Sequence, residues 1–133
     1  MVKRLSVEAA LLRFKDRSRT MSEFTFLFRG GDTAASPEQM QQSMQKWGAW
    51  FKELGAKGHI KDLGNPLERS GKLVSGQDKI VTDGFFAETK DIIGGYTLIV
   101  AKDINEASEL AKGCPILDIG GAVEVRPVMQ MNM

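Results

Sequence analysis

Gly95-Tyr96-Thr97-Leu98-Ile99-Val100-Ala101 is the stretch that decides the fold. Its β-branched and aromatic side chains alternate, with Tyr96, Leu98 and Val100 on one side and Thr97, Ile99 and Ala101 on the other. Both sides are mostly apolar, so the segment is expected to be a strand in the middle of a sheet. A helix start follows at once. Asp103 stands at the cap of Asp103-Ile104-Asn105-Glu106, and Glu106 stands three residues later, as a capping box requires. Ala107, Leu110, Ala111 and Cys114 form the stripe this helix would bury, with Gly113 and Pro115 ending it.

The same succession occurs upstream. Phe24, Phe26 and Phe28 alternate with Thr25, Leu27 and Arg29, which predicts a strand broken by Gly30-Gly31-Asp32. Ser36-Pro37-Glu38-Gln39 opens a longer helix, with Ser36 as cap, Pro37 at the first helical position and Gln39 completing a capping box. Met40, Met44, Trp47, Phe51 and Leu54 recur at four- and three-residue steps. The stripe could wall a ligand site, but helical pattern alone favours a plain core face, with the intervening glutamines and lysines in water. Gly55 and Gly58 are expected to end this helix.

Residues 60–63 predict a short strand closed by Gly64-Asn65-Pro66. Residues 72–74 and 79–81 flank Ser75-Gly76-Gln77-Asp78 and read as a hairpin. Residues 122–128 predict the last strand, with Val123 and Val125 on one side and Glu124 and Arg126 on the other. Reduced to its core, the order is β-α-β-β-α-β: an α+β, ferredoxin-like plait with an inserted hairpin. Both helices would cover one face of the sheet. The other face needs a cover too, and without a third long helix a second copy of the chain is the natural one. A homodimer with facing sheets is therefore expected.

A chain of 133 residues fits one domain and can bury a core without disulfides or a structural metal. The net charge of +1 gives no electrostatic case for nucleic acid or anionic membrane as a partner. No apolar run reaches the roughly 20 residues needed to span a bilayer. A single cysteine suits a reducing cytoplasm, and one Cys with one His lacks zinc-ligand spacing. No phosphate-cradling loop, dinucleotide fingerprint or nucleophile elbow is present. No cofactor and no metal is expected.

Residues 1–20 differ from the rest, with six cationic side chains against Glu8 and Asp16. They read as a basic extension, either with a short helix at residues 7–14 or as an upstream start-site addition. The two acids disfavour a transit peptide. Residues 21–133 form the domain.

Between the hairpin and the central strand lies Thr82-Asp83-Gly84-Phe85-Phe86-Ala87-Glu88-Thr89-Lys90. A glycine turn, two aromatics and several charged or hydroxyl groups destabilise such a segment unless it is a structural plug or a binding loop. Residues 82–96 resemble the Asp-Gly-Pro-Phe-Ala-Glu-Thr-Lys signature of the YCII-related proteins, specifically the DGPF subgroup. The resemblance extends to Gly64-Asn65-Pro66-Leu67, to Cys114-Pro115 and to residues 121–128, and covers residues 21–129 in family order. It implies a dimeric α+β barrel of ferredoxin-like protomers. Some relatives are linked to extracytoplasmic-function sigma factors, and a related branch includes a dehydrochlorinase of aromatic degradation. Phe85 departs from the pattern by standing where the family has proline, which frees φ after the glycine.

Candidate site residues follow. Asp83 suits either an Asx turn or a general base. His59, the one side chain that titrates near neutrality unshifted, is read as a surface residue or as its acid–base partner. Phe85, Phe86, Glu88, Thr89 and Lys90 would line or close a pocket beside the loop, with Lys90 neutralising a ligand anion. Glu124 and Arg126 are expected to pair on the face opposite the helices, with Arg126 either bracing the dimer or reaching an anionic ligand. Cys114 reads as a packed, inert thiol. The implied function is an enzyme-like cytoplasmic protein binding a small polar or aromatic molecule. The alternative is a non-catalytic ligand-binding or regulatory dimer linked to sigma-factor signalling.

Overall fold

A computed structural model describes residues 21–31, 36–84 and 92–131. Strand β1 (Ser22–Arg29) leads to helix α1 (Pro37–Ala56), then to a short β2 (Ile60–Asp62). A hairpin follows, β3 (Lys72–Ser75) and β4 (Ile80–Asp83), then the long β5 (Ile93–Ala101), helix α2 (Ile104–Ala111), a 3-10 turn (Pro115–Ile119) and β6 (Ala122–Pro127). The basic extension at residues 1–20 lies outside the described residues.

Four strands form one sheet in the order β2-β5-β1-β6, with every neighbouring pair antiparallel. This mixed α+β arrangement is consistent with a ferredoxin-like plait. The predicted central strand is central, because β5 pairs with β2 on one side and β1 on the other. β3 and β4 pair only with each other, as a separate two-stranded sheet.

Alternation along the strands sets the two faces. Phe24, Phe26 and Phe28 of β1 join Ile99 and Ala101 of β5 in one core cluster. Trp50 and Leu54 of α1 and Ala107 and Ala111 of α2 complete it, so both helices cover the same face. Rings set much of this packing: Phe26 stacks on Trp50 with centroids 6.0 Å apart, and Phe28 meets Trp47 edge-on at 4.9 Å. Such pairs add about 0.5–1.5 kcal/mol each beyond their buried area. Gly113 allows close packing, since a Cβ there would lie 3.0 Å from the Trp50 ring.

The helix caps form largely as the sequence predicts. Gln39 N donates to Ser36 Oγ at 3.2 Å and Ser36 N donates to Gln39 Oε1 at 3.0 Å, a complete capping box. At α2, Glu106 N donates to Asp103 Oδ1, but the Glu106 carboxylate takes the amide of Lys102 in place of Asp103. Helix α1 also runs through Gly55, and the chain turns at Gly58 with φ of 79°.

The expected core stripe of α1 is only partly right. Leu54 is buried, but Met44 is 73% exposed and Met40 55%. Trp50, three residues beyond Trp47, is the buried tryptophan. The ring contacts from α1 to β1 come from Trp47 and Trp50, and Met40 and Met44, nearer the helix N-terminus, are absent from the core cluster.

The opposite face of the sheet carries Glu23, Thr25, Leu27 and Arg29 of β1, with Tyr96, Leu98 and Val100 of β5, all half-buried. Val123 and Val125 of β6 pack against the core, so Glu124 and Arg126 fall on this open face. Arg29 donates to Glu124 at 2.7 Å, and Lys61 pairs with Glu23. No described helix is long and apolar enough to cross a membrane.

Candidate functional site

A cavity of about 500 Å³ lies between α1 and the sheet. Its floor is Phe28 of β1 with Gly95 and Thr97 of β5; Met44, Trp47 and Phe51 of α1 form one wall. This size falls within the ~300–1,000 Å³ typical of small-molecule sites.

The second wall is built from the Gly64-Asn65-Pro66-Leu67 run, which does more than close β2. Gly64 N donates to Asp62 Oδ1 at 2.9 Å, and Gly64 adopts φ of 70°. This conformation suits glycine, and a Cβ here would sit 1.9 Å from the Tyr96 carbonyl oxygen. The chain then runs beside β5: Tyr96 N donates to Asn65 O, Pro66 bridges to Gly95, and Leu67 N donates to Gly94 O. Gly95 permits the contact, since a Cβ would meet Asn65 O at 3.2 Å. The buried Thr97 hydroxyl donates to Leu63 O at 2.8 Å and ties the wall to the floor. Ile92, Gly30 and Ile116 close one end.

Ile92 lies two residues beyond Lys90 in the sequence and immediately before β5, and it lines the cavity. Phe85, Phe86, Glu88, Thr89 and Lys90 lie outside the described residues. Asp83 ends β4 and lines no part of the cavity. Its carboxylate accepts from Lys72 Nζ at 2.7 Å across the hairpin, with both side chains largely exposed. Gly84 N donates to Gly71 O and extends the ladder by one bond.

His59 also lies away from the cavity, and it is no surface residue: it is 5% exposed. Its Nδ1 lies 2.8 Å from the Val100 carbonyl oxygen. A carbonyl only accepts, so the proton sits on Nδ1. The main chain of His59 is held as well, by His59 N to Leu54 O and Val100 N to His59 O. The imidazole thus ties the end of α1 to β5. The structure does not bring Asp83 and His59 together in the cavity.

Arg126 is on the sheet face away from the helices, 3.6 Å from Glu124 Oε2. Glu124 is paired as expected, with Arg29 as its closer partner. Cys114 is buried, and burial pushes its thiol up to about 12. It is a poor nucleophile at neutral pH because the thiolate is the reactive form.

Sequence reading raised the stripe of Met44, Trp47 and Phe51 as a ligand wall but favoured a plain core face, and it did not single out Arg69. No local signal separated the two readings of the stripe, because core face and cavity wall share one helical spacing.

Comparison with protein families gives a match to the YCII-related domain over residues 23–132. No curated protein matches the chain.

Proposed function

The chain belongs to the YCII-related domain family, and we propose that it binds a small, largely apolar molecule in the cavity between α1 and the sheet, as a homodimer. The observation that carries this reading is the cavity itself: about 500 Å³, walled by Met44, Trp47 and Phe51 and floored by Phe28, Gly95 and Thr97. Aromatic walls with few polar groups select flat or branched apolar bodies. Within the family, the run from Asp83 to Lys90 supports the DGPF branch, and a sigma-factor link rests on that resemblance alone.

Binding is favoured over acid–base catalysis by Asp83 and His59. Proton transfer between them would need a path from an exposed, ion-paired carboxylate to a core imidazole, and neither borders the cavity. Binding needs no such path.

The dimer rests on the open sheet face. Leu27, Tyr96, Leu98 and Val100 form an apolar strip there, flanked by the Glu23–Lys61 and Arg29–Glu124 pairs. Opposed copies of this face would form a dimeric α+β barrel.

Calorimetric titration with 2-naphthol tests the cavity. One saturable site per chain is expected, weakened about threefold to tenfold in Trp47→Leu by loss of an aromatic contact. No saturable binding sinks the reading. Light scattering at micromolar concentration tests the dimer. A dimer mass is expected, falling to a monomer in Leu98→Asp with unchanged far-ultraviolet circular dichroism. A monomeric wild type sinks that part.

A further inference from the structure

We infer that the ligand is an amphiphilic monoanion, an aromatic or branched carboxylic acid whose apolar body fills the cavity and whose carboxylate pairs with Arg69 at the mouth. This rests on the cavity reading above and adds the ligand's charge and orientation.

Among the described residues, the cavity lining carries a single charged side chain, Arg69, and no carboxylate, imidazole, amine or thiol. Arg69 is exposed and has no ion pair or hydrogen bond with any other described residue. Nearby cations are engaged, as in Lys72–Asp83 and Lys61–Glu23. A second donor is also free. The Trp50 indole N–H donates to Leu110 O, whereas that of Trp47, on the cavity wall, has no acceptor among the described residues. The one hydroxyl on the floor, that of Thr97, is already spent on Leu63 O. Asn65 and Tyr96 also line the cavity and can both donate and accept, so they do not select ligand charge; the guanidinium and the indole N–H favour a ligand that accepts hydrogen bonds and carries negative charge.

The mouth strengthens this selection. Leu63 and Leu67 are about half exposed, and Met44 more so. A ligand covering them would strip water from the same rim that holds the guanidinium. An uncharged ligand would leave that cation less solvated and unpaired, whereas a carboxylate supplies a two-point, charge-assisted partner. Arginine suits this better than lysine, since its fork matches both carboxylate oxygens.

The test is a matched pair of probes, 2-naphthoate and 2-naphthamide, titrated calorimetrically into wild type and Arg69→Gln at low salt. The two share one ring system and differ in charge. Wild type is expected to bind the acid about tenfold more tightly than the amide. Arg69→Gln should weaken the acid about tenfold and the amide far less, removing that preference, and added salt should weaken only the acid. Equal affinities for acid and amide in wild type, or a preference that survives Arg69→Gln, overturn the inference and leave the cavity reading intact. If neither probe binds wild type, the cavity reading fails, and the inference with it. Arg69 is exposed and has no ion pair among the described residues, so the variant is expected to fold, as circular dichroism will verify.

Discussion

Strand β5 and the β3–β4 hairpin are built from similar residues and meet opposite fates. In β5, Thr97, Ile99 and Ala101 are fully buried. In the hairpin, Leu73, Val74, Ile80 and Val81 are each more than half exposed. Both are antiparallel, alternating and rich in β-branched side chains, so local preference does not separate them. What separates them is a partner layer: β5 lies under two helices, and the hairpin's strands pair only with each other. Strand propensity measures fit to a pleated surface, and burial is a separate event that needs a second layer.

The sharpest break in this comparison is a pair of truncations. Phe26→Ala, under both helices, is expected to cost about 3–5 kcal/mol in urea denaturation. Ile80→Ala in the hairpin should cost below about 1 kcal/mol. Similar losses at both sites would show that the hairpin is packed in solution, through the dimer or otherwise.

Gly64→Ala comes next, in the loop that runs beside β5. It imposes a left-handed backbone on a side chain and drives Cβ into the Tyr96 carbonyl. A loss of at least about 2 kcal/mol is expected, together with weaker naphthol binding as the wall shifts. Gly76 has a similar φ, but a Cβ there meets only the Asp78 amide, at 4.0 Å. Gly76→Ala should therefore cost less, about the backbone strain alone.

Cys114 gives the core a pH signature that the hairpin lacks. Its thiol is pushed from 9.0 up to about 12 by burial, so the native state holds a proton that the unfolded chain releases. Its contribution is full below pH 9 and is lost as pH rises toward 12. Wild type should thus lose more stability between pH 9 and 11 than Cys114→Ala, as followed by denaturation midpoints. Parallel losses would show that the thiol is solvated.

The smallest effect is expected in the hairpin's ion pair. A double-mutant cycle on Lys72 and Asp83 should give about 0.5 kcal/mol or less, because both side chains are about 70% exposed and water screens them. A coupling well above 1 kcal/mol would place Asp83 in a drier site than the single chain shows.

Particular residues show how much was legible in sequence. Phe24, Phe26 and Phe28 announced β1 and its buried face, since a period of two can satisfy only one side of a sheet. Ser36 and Gln39 announced the start of α1, because capping depends on residues within one turn. The stripe on α1 misled over Met40 and Met44. Periodicity marks which side of a helix is apolar and is silent on how far the sheet extends beneath it. His59 misled for a related reason. Nothing near it in sequence shows that Val100, forty-one residues away, supplies its acceptor.

Sequence alone thus determined the main elements, their order and the family, because these depend on local periodicity, caps and contiguous motifs. Tertiary structure alone decided where the cavity lies. That cavity exists because Met44, Trp47 and Phe51 of α1 stand opposite a loop that Gly64 and Gly95 let press against β5, and Arg69 joins the same lining. Each depends on distances between segments far apart in the chain, and no local pattern encodes those distances.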